Sequence, residues 1–157
     1  MDTYKTINDT LVNLINEIWK IEGEAIITEE FKDVTNNDMH VMEAVGLGDG
    51  NNMSSIAKKL NITVGTLTTA VNSLVKKKYV ERHRSEQDRR VVYVKLTEKG
   101  VAAYRHHEEY HRQMTLAVME RISEEEIPVL LKMIAGLQDF FRGYGSHADG
   151  KENKKSE

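Results

Sequence analysis

Residues 53–97 constrain the fold of this chain more than any other segment. Ser54 and Thr63 are predicted to cap two short helices, and β-branched-rich runs at 79–84 and 91–96 then bracket a charged turn. This order of helix, helix and basic hairpin predicts a winged helix-turn-helix. The chain as a whole is predicted to be mainly α-helical, with the small β-hairpin as its wing.

The second helix of this pair has the residue pattern of a DNA recognition helix. It is predicted to bury four apolar residues at spacings of three and four: Val64, Leu67, Val71 and Leu74. Its outward face is small and polar, which lets the backbone approach base edges in the major groove. Asn72 can bond adenine in two places, and threonine methyl groups pack on thymine methyls. Because this face has no arginine or lysine before Lys76, we expect an A/T-rich site read partly by its shape.

The positive charge of the chain is concentrated in one stretch. Residues 76–95 hold eight basic and three acidic side chains, a net +5, although the whole chain carries −3. A basic face on an acidic body is typical of a DNA-binding protein, and a solvated surface run is the alternative. In the wing, Arg89 or Arg90 is predicted to enter a narrow minor groove, with Asp88 holding the turn by pairing to a nearby guanidinium.

Residues on both helices and on the wing are therefore candidates for contact with DNA. Serines, lysines and arginines outside the wing tip are expected to hold phosphates, whereas the polar residues of the recognition helix are expected to read bases. The full set is Ser54, Ser55, Lys58, Thr63, Gly65, Thr66, Thr68, Thr69, Asn72, Lys76, Arg82, Arg84, Gln87, Asp88, Arg89 and Arg90.

Long amphipathic helices flank this segment on both sides. Apolar residues recur at helical spacing from Ile7 to Ile21 and from Ile127 to Phe141, and these faces exceed what one small domain needs. We expect a homodimer with its two recognition helices roughly 34–36 Å apart, and packing within one chain is the alternative. The predicted divisions are a dimerisation helix at 1–34, the winged helix-turn-helix at 35–97, C-terminal dimerisation helices at 98–142 and a disordered tail at 143–157.

Composition and motifs argue against several other classes of protein. The chain has no cysteine, which excludes disulfides, thiolate metal sites and thiol redox sensing. No apolar run approaches the roughly 18 residues of a membrane span, and no signal-peptide pattern is present, so we expect a cytoplasmic protein without membrane contact. The motifs of metalloproteases, serine hydrolases and nucleotide-binding loops are missing, and we expect no enzymatic activity.

The wing sequence resembles that of the MarR family of winged-helix repressors. Residues 88–97, Asp-Arg-Arg-Val-Val-Tyr-Val-Lys-Leu-Thr, match the family's Asp-x-Arg wing and the Leu-Thr that follows it. Residues 55–60 match as well, and the similarity extends over about 4–142. The resemblance implies a MarR-like helical homodimer that binds a palindrome in double-stranded DNA.

Within this family the chain is most similar to the repressors of fatty-acid-synthesis genes. The segments that carry this similarity are 31–33, 39–40, 64–69, 84–92 and 123–127. The resemblance implies a long-chain acyl group, delivered on acyl carrier protein, as corepressor, and no required cofactor. The expected acyl-binding residues are Ile18, Ile21, Met39, His40, Met42, Tyr104, His107 and Met114. For each of them a place in the ordinary core is the alternative.

A zinc-responsive repressor is the other function that the family resemblance leaves open. The zinc-sensing branch draws histidines from the second and fifth helices and a carboxylate from the first. The matching histidines here are His40, His107 and His111, and Glu22 or Glu24 would supply the carboxylate. The fatty-acid branch also carries a histidine pair in this region. In that branch His40 and His107 would be polar anchors near the acyl pocket.

Overall fold

Six helices and three short strands make up residues 2–152, the part of the chain that the computed structural model describes, with side chains described to residue 144. The helices are α1 (Thr3–Ile26), α2 (Asn36–Val45), α3 (Met53–Leu60), α4 (Val64–Lys76), α5 (Glu98–Met119) and α6 (Ile127–Glu152). The strands are β1 (Asn51–Asn52), β2 (Val80–Arg84) and β3 (Val92–Leu96). The predicted helix pair is α3 and α4, and the predicted hairpin is β2 and β3.

The wing is a three-stranded antiparallel sheet in the order β1-β3-β2, one strand more than the sequence predicted. In the hairpin, Arg82 pairs with Val94 and His83 with Tyr93. The additional strand β1 has only two residues, too few for a periodic pattern to reveal it. Gly50 precedes it with a φ of +80°, and a Cβ there would overlap the carbonyl oxygen of Val94. Glycine is therefore required for β1 to reach β3.

The hydrophobic core joins α2, α3 and α4 to the sheet. Leu67, Val71 and Leu74 of α4 are fully buried, and their spacing places them on one helical face, as predicted. Burying each such side chain contributes about 1.5–3 kcal/mol. Val64, by contrast, is 46% exposed and its predicted burial was wrong. It occupies the first position of α4, and burial on this face begins one helical turn later, at Leu67.

The first helix of the predicted pair begins earlier than expected. Asn52, rather than Ser54, caps α3, because its Oδ1 accepts a hydrogen bond from the main-chain N–H of Ser55 at 2.8 Å. Asn52 lies in β1, where its pairing with Tyr93 holds the extended backbone that a cap residue requires. The strand thus fixes where the helix starts.

The chain divides into two compact units, residues 1–112 and 113–157. In the first unit Ile26, Phe31 and Val34 are buried in the same core as α2, so the segment 1–34 contributes to the fold of this unit. The second unit consists of the end of α5 together with α6. Among the described residues, no helix is both long enough and apolar enough to cross a membrane.

The last helix continues past residue 142, where the sequence predicted a disordered tail. It runs to Glu152, and residues 153–157 lie outside the described part of the chain. Extending an existing helix avoids the cost of nucleation, which offsets the roughly 1 kcal/mol penalty of Gly143. The aromatic rings of Phe140 and Tyr144, four residues apart, have centroids 5.8 Å from each other across the expected boundary.

Two acidic side chains, one in the loop before α2 and one in α2, bond to residues 77–79. This segment connects α4 to β2 and forms the root of the wing. Asp38 forms a capping box with Thr35 and accepts a 2.7 Å ion pair from Lys77, at the C-terminal end of α4. Asp33 accepts a 2.7 Å hydrogen bond from the hydroxyl of the buried Tyr79. This hydrogen bond, together with the charge of Lys99, holds the pKa of Asp33 below its ordinary value.

The Tyr79–Asp33 hydrogen bond makes stability depend on pH in a defined direction. A lowered pKa in the folded state stabilises the fold above the unfolded pKa and loses that contribution as pH falls through the folded value. We expect Tyr79→Phe to lower the free energy of unfolding by about 1 kcal/mol at pH 7, because Asp33 is partly exposed and its charge is screened. The difference in the free energy of unfolding between this variant and wild type should narrow below about pH 4.

Urea unfolding at pH 7 and at pH 3, at one protein concentration, measures this difference in the free energy of unfolding. Tyr93→Phe is a matched control, because Tyr93 stacks on His83 in the wing, whereas the side-chain partners of Asp33 are Tyr79 and Lys99. A Tyr79→Phe deficit of equal size at both pH values would show that the carboxylate is not the group responsible.

Candidate nucleic-acid interface

The turn between α3 and α4 presents the recognition helix. Asn61 ends α3 in the left-handed conformation at φ 54°, which asparagine tolerates better than most residues. Thr63 then caps α4, as predicted, with its hydroxyl accepting from the main-chain N–H of Thr66 at 3.1 Å. The two threonine hydroxyls also lie 2.9 Å apart. This cap fixes the residue at which α4 begins.

The outward face of α4 is exposed and lined by small polar groups. Gly65, Thr66, Thr68, Thr69 and Asn72 are all accessible. The hydroxyl of Thr68 donates to the carbonyl of Val64 at 2.8 Å, within its own helix. With its proton engaged there, Thr68 has a methyl group and an acceptor left for a base edge. This arrangement suits contact with a thymine methyl.

The predicted adenine reader and a predicted phosphate contact are joined to each other. The guanidinium of Arg82, on β2, donates from Nη2 to Oδ1 of Asn72 at 2.7 Å. Both side chains are exposed, so the bond crosses the surface between wing and recognition helix. Sequence reasoning missed this pairing because it depends on how the hairpin lies over α4.

The loop at the tip of the wing is held by its own main chain and two short polar side chains. Ser85 Oγ accepts from the main-chain N–H groups of Gln87 and Asp88, at 3.2 and 3.3 Å. Asp88 Oδ1 accepts from the main-chain N–H of Arg90 at 3.0 Å. The Asp88 carbonyl accepts in turn from the N–H of Val91 at 2.9 Å. These bonds form a compact turn in which the arginine side chains take no part.

The role of Asp88 therefore differs from the predicted one. It was expected to hold the turn by pairing to a guanidinium, but across residues 2–144 its carboxylate forms no ion pair with an arginine. The nearby main-chain N–H is reached without ordering a long side chain, which costs less conformational entropy. Arg89 and Arg90 are both exposed as a consequence.

The remaining predicted contacts flank this surface. Ser54 and Lys58 are exposed on α3, Lys76 is exposed at the end of α4, and Arg84 is exposed on β2. Ser55 is half-buried, the exception among the residues expected to contact DNA. Arg82 connects this basic set to the polar side of α4 through its bond to Asn72, and exposed lysines and arginines suit the phosphates that border a groove.

Histidines of α2 and α5 form a second cluster with carboxylates of α1 and α2. The Nε2 atoms of His107 and His111 are 2.8 Å apart, and a carboxylate oxygen of Glu22 is 3.8 Å from His111. Glu43 was not predicted, yet it contacts His107 at 3.1 Å and His40 at 3.4 Å. Its position three residues after His40, on the same helical face, was the available signal.

The protonation state of His107 follows from its burial. His107 is almost fully buried, and burial lowers its pKa against the opposing charge of Glu43. The imidazole is therefore neutral near pH 7, the state in which histidine binds metal. Ligand atoms of Glu22, His107 and His111 all lie within 4.8 Å of one another. These residues converge closely enough to be candidate ligands of one ion.

The predicted acyl-binding residues fall in different surroundings. Met39 and Met42 lie in the core with almost no exposed surface, and Tyr104 packs against it. Ile18 and Ile21 are exposed on α1. His40 is exposed beside Glu43, whereas Met114 belongs to the second compact unit. The acyl-binding role of these residues stays a prediction.

The capped helix pair, the sheet with its arginine-tipped loop and the basic face define a winged helix-turn-helix protein. The family model "Transcriptional regulator SarA/Rot" matches residues 25–106. The crystal structure of Streptococcus pneumoniae FabT in complex with DNA is similar, with a TM-score of 0.78 and 38% sequence identity, covering 90% of this chain and 99% of that one. The chain belongs to the SarA/Rot family of MarR-type winged-helix transcriptional regulators.

Two curated relatives are similar over most of their length. The transcriptional regulator PchR of Bacillus subtilis is 27% identical over 78% of this chain and 73% of its own. The transcriptional regulator AdcR of Streptococcus pyogenes is 27% identical over 91% of this chain and all of its own. The similarity therefore extends over most of each regulator. It includes the flanking helices and is not confined to the winged segment.

Proposed function

We propose that this chain is a homodimeric repressor that binds an A/T-rich palindrome in double-stranded DNA. The observation that carries the proposal is the exposed polar face of α4 together with the exposed arginines of the wing loop. Among the described residues, neither Arg89 nor Arg90 pairs with an acidic side chain. Threonines on the helix suit thymine methyls, and arginine suits the negative potential of a narrow minor groove. The similarity to FabT bound to DNA supports the same function.

Exposed apolar faces support the dimer. On α1, Trp19 is 73% exposed and Ile7 55%, and on α6 Leu131 and Phe140 are exposed to a similar degree. Large apolar side chains in such numbers on single helices are unusual for a surface that stays in water. A second copy with the same faces would bury them by two-fold symmetry, and the same symmetry would match a palindromic site.

We further propose that the target genes are those of fatty-acid synthesis and that acyl carrier protein delivers the acyl corepressor. The 38% identity to FabT, over nearly its whole length, and the segment resemblances described above support this assignment. A palindrome fixes the distance between the two recognition helices. An acyl group that binds the DNA-ready spacing more tightly would raise DNA affinity by that difference in binding free energy, and by no more.

Fluorescence anisotropy of the protein on a fatty-acid-synthesis promoter fragment tests this proposal, with chelator present throughout. We expect acylated carrier protein to tighten DNA binding at least fivefold, a typical allosteric coupling, and the unacylated form to leave it unchanged. Equal binding with both forms would contradict the lipid assignment while leaving DNA binding intact.

Zinc-responsive repression is the second candidate, and the convergence of Glu22, His107 and His111 is the observation that favours it. Glu43 lies within reach as a further carboxylate. Zinc-ligating histidines usually donate their other ring N–H to a partner. Against this expectation, Nδ1 of His107 is buried without a hydrogen-bond partner among the described residues, which counts against His107 as a zinc ligand.

Calorimetric titration with Zn²⁺ alone separates the two candidates. If zinc is the ligand, Glu22→Gln and His111→Ala should each weaken its binding at least tenfold, because the first removes the charge of a carboxylate ligand and the second removes an imidazole nitrogen. His106→Ala is the matched control, since the neighbouring His106 ring is bonded to the carbonyl of Ala25 at 2.9 Å. Equal zinc affinity in all the variants would exclude this cluster as the binding site.

A further inference from the structure

We propose that Arg82 is a positioning residue for base readout, which fixes the side-chain amide of Asn72 in one orientation. The inference rests on the proposed DNA-binding function and deepens it by assigning the wing a part in sequence specificity. Sequence reasoning had given Arg82 to a phosphate and Asn72 to adenine as independent contacts. The 2.7 Å hydrogen bond between them makes them one unit.

The chemistry of the two groups fixes the orientation. A guanidinium carries only donors, so the amide atom that faces Arg82 must be the oxygen of Asn72. The amide nitrogen then lies on the side away from the wing, with its two N–H groups available. A short bond from a charged donor is stronger than one between neutral groups, so the alternative flip of the amide is disfavoured.

The orientation determines what Asn72 can offer a base. The N–H donors fit acceptors in the major groove, namely purine N7, guanine O6 and thymine O4. The two-bond contact to adenine needs Oδ1 as well, and Arg82 already uses one lone pair of that oxygen. Without Arg82 the amide is free to flip, and the donor and acceptor pattern that it presents becomes ambiguous.

Arg84 provides a matched control for charge. It lies two residues from Arg82 on β2, so both side chains are on the same face of the strand, and both are exposed. Arg84 has no bond to Asn72. A phosphate contact contributes to affinity on every sequence, whereas a residue that positions a base reader affects the choice among sequences.

The experiment starts from a library of 30-base-pair duplexes randomised at their centre, from which wild-type protein selects its preferred site. Anisotropy then measures wild type, Arg82→Ala, Asn72→Ala, the double variant and Arg84→Ala on that site and on its single-base-pair variants. Circular dichroism checks that each exposed substitution leaves the fold unchanged. The quantity compared is the ratio of affinities for the preferred and the substituted base pair.

We expect Arg82→Ala and Asn72→Ala to lose about tenfold discrimination at the same base pair, with no further loss in the double variant. Arg84→Ala should weaken binding to all duplexes alike and keep the ratio. The inference would be overturned if Arg82→Ala, like Arg84→Ala, weakened binding to all duplexes alike and kept the affinity ratio. It would also be overturned if the double variant lost more discrimination than either single variant. Either result would leave the proposed function standing. A wild-type protein that selects no sequence would contradict both.

Discussion

Replacing Arg90 with alanine is expected to weaken DNA binding by about 5- to 150-fold, the range of a specific contact of roughly 1–3 kcal/mol. The side chain is exposed at the tip of the wing, while Asp88 and the main chain hold the loop. The substitution therefore removes a guanidinium without disturbing the turn. An arginine inserted in a narrow minor groove interacts with concentrated negative potential, and alanine offers nothing in its place.

Anisotropy on the selected duplex over a series of salt concentrations measures this effect. Loss of one ionic contact should also reduce the salt dependence by about one unit of slope. Arg89→Ala identifies which of the two arginines enters the groove, since both are exposed. Wild-type affinity in both variants would mean that the wing tip does not contact DNA.

Gly100→Ala is expected to lower the free energy of unfolding by about 3 kcal/mol, the upper part of the range for overpacked sites. Gly100 lies in the first turn of α5, where a Cβ would overlap the carbonyl oxygen of Tyr79. That carbonyl accepts from the main-chain N–H of Thr97 at 3.0 Å, so it cannot withdraw without breaking a bond at the root of the wing. The contact is between two backbones, and no side-chain rotation relieves it.

Urea denaturation compares this variant with Gly65→Ala. A Cβ at Gly65 meets only the hydroxyl oxygen of Thr63, at an ordinary 3.8 Å, and alanine is the better helix former. We expect that control to be as stable as wild type or slightly more so. Equal stability of Gly100→Ala and Gly65→Ala would contradict the close approach of α5 to the wing root.

The recognition helix and the hairpin were predictable because their signals are local. Leu67, Val71 and Leu74 repeat at the helical period, and Thr63 precedes them as a cap with no help from distant residues. The hairpin was likewise predictable from two β-branched-rich runs on either side of a charged turn. The start of α3 was not predictable from Ser54, because the actual cap residue owes its conformation to pairing with another strand.

The same distinction between local signals and contacts between separate elements applies to the candidate sites. By itself, the sequence determined which residue types face outward on α4 and that arginines occupy the wing tip, since periodicity and turn composition are properties of neighbouring residues. Only the tertiary structure decided that Arg82 bonds Asn72 and that Glu43 joins His107. Those contacts connect separate elements, and their geometry follows from how the elements pack, which no local pattern encodes.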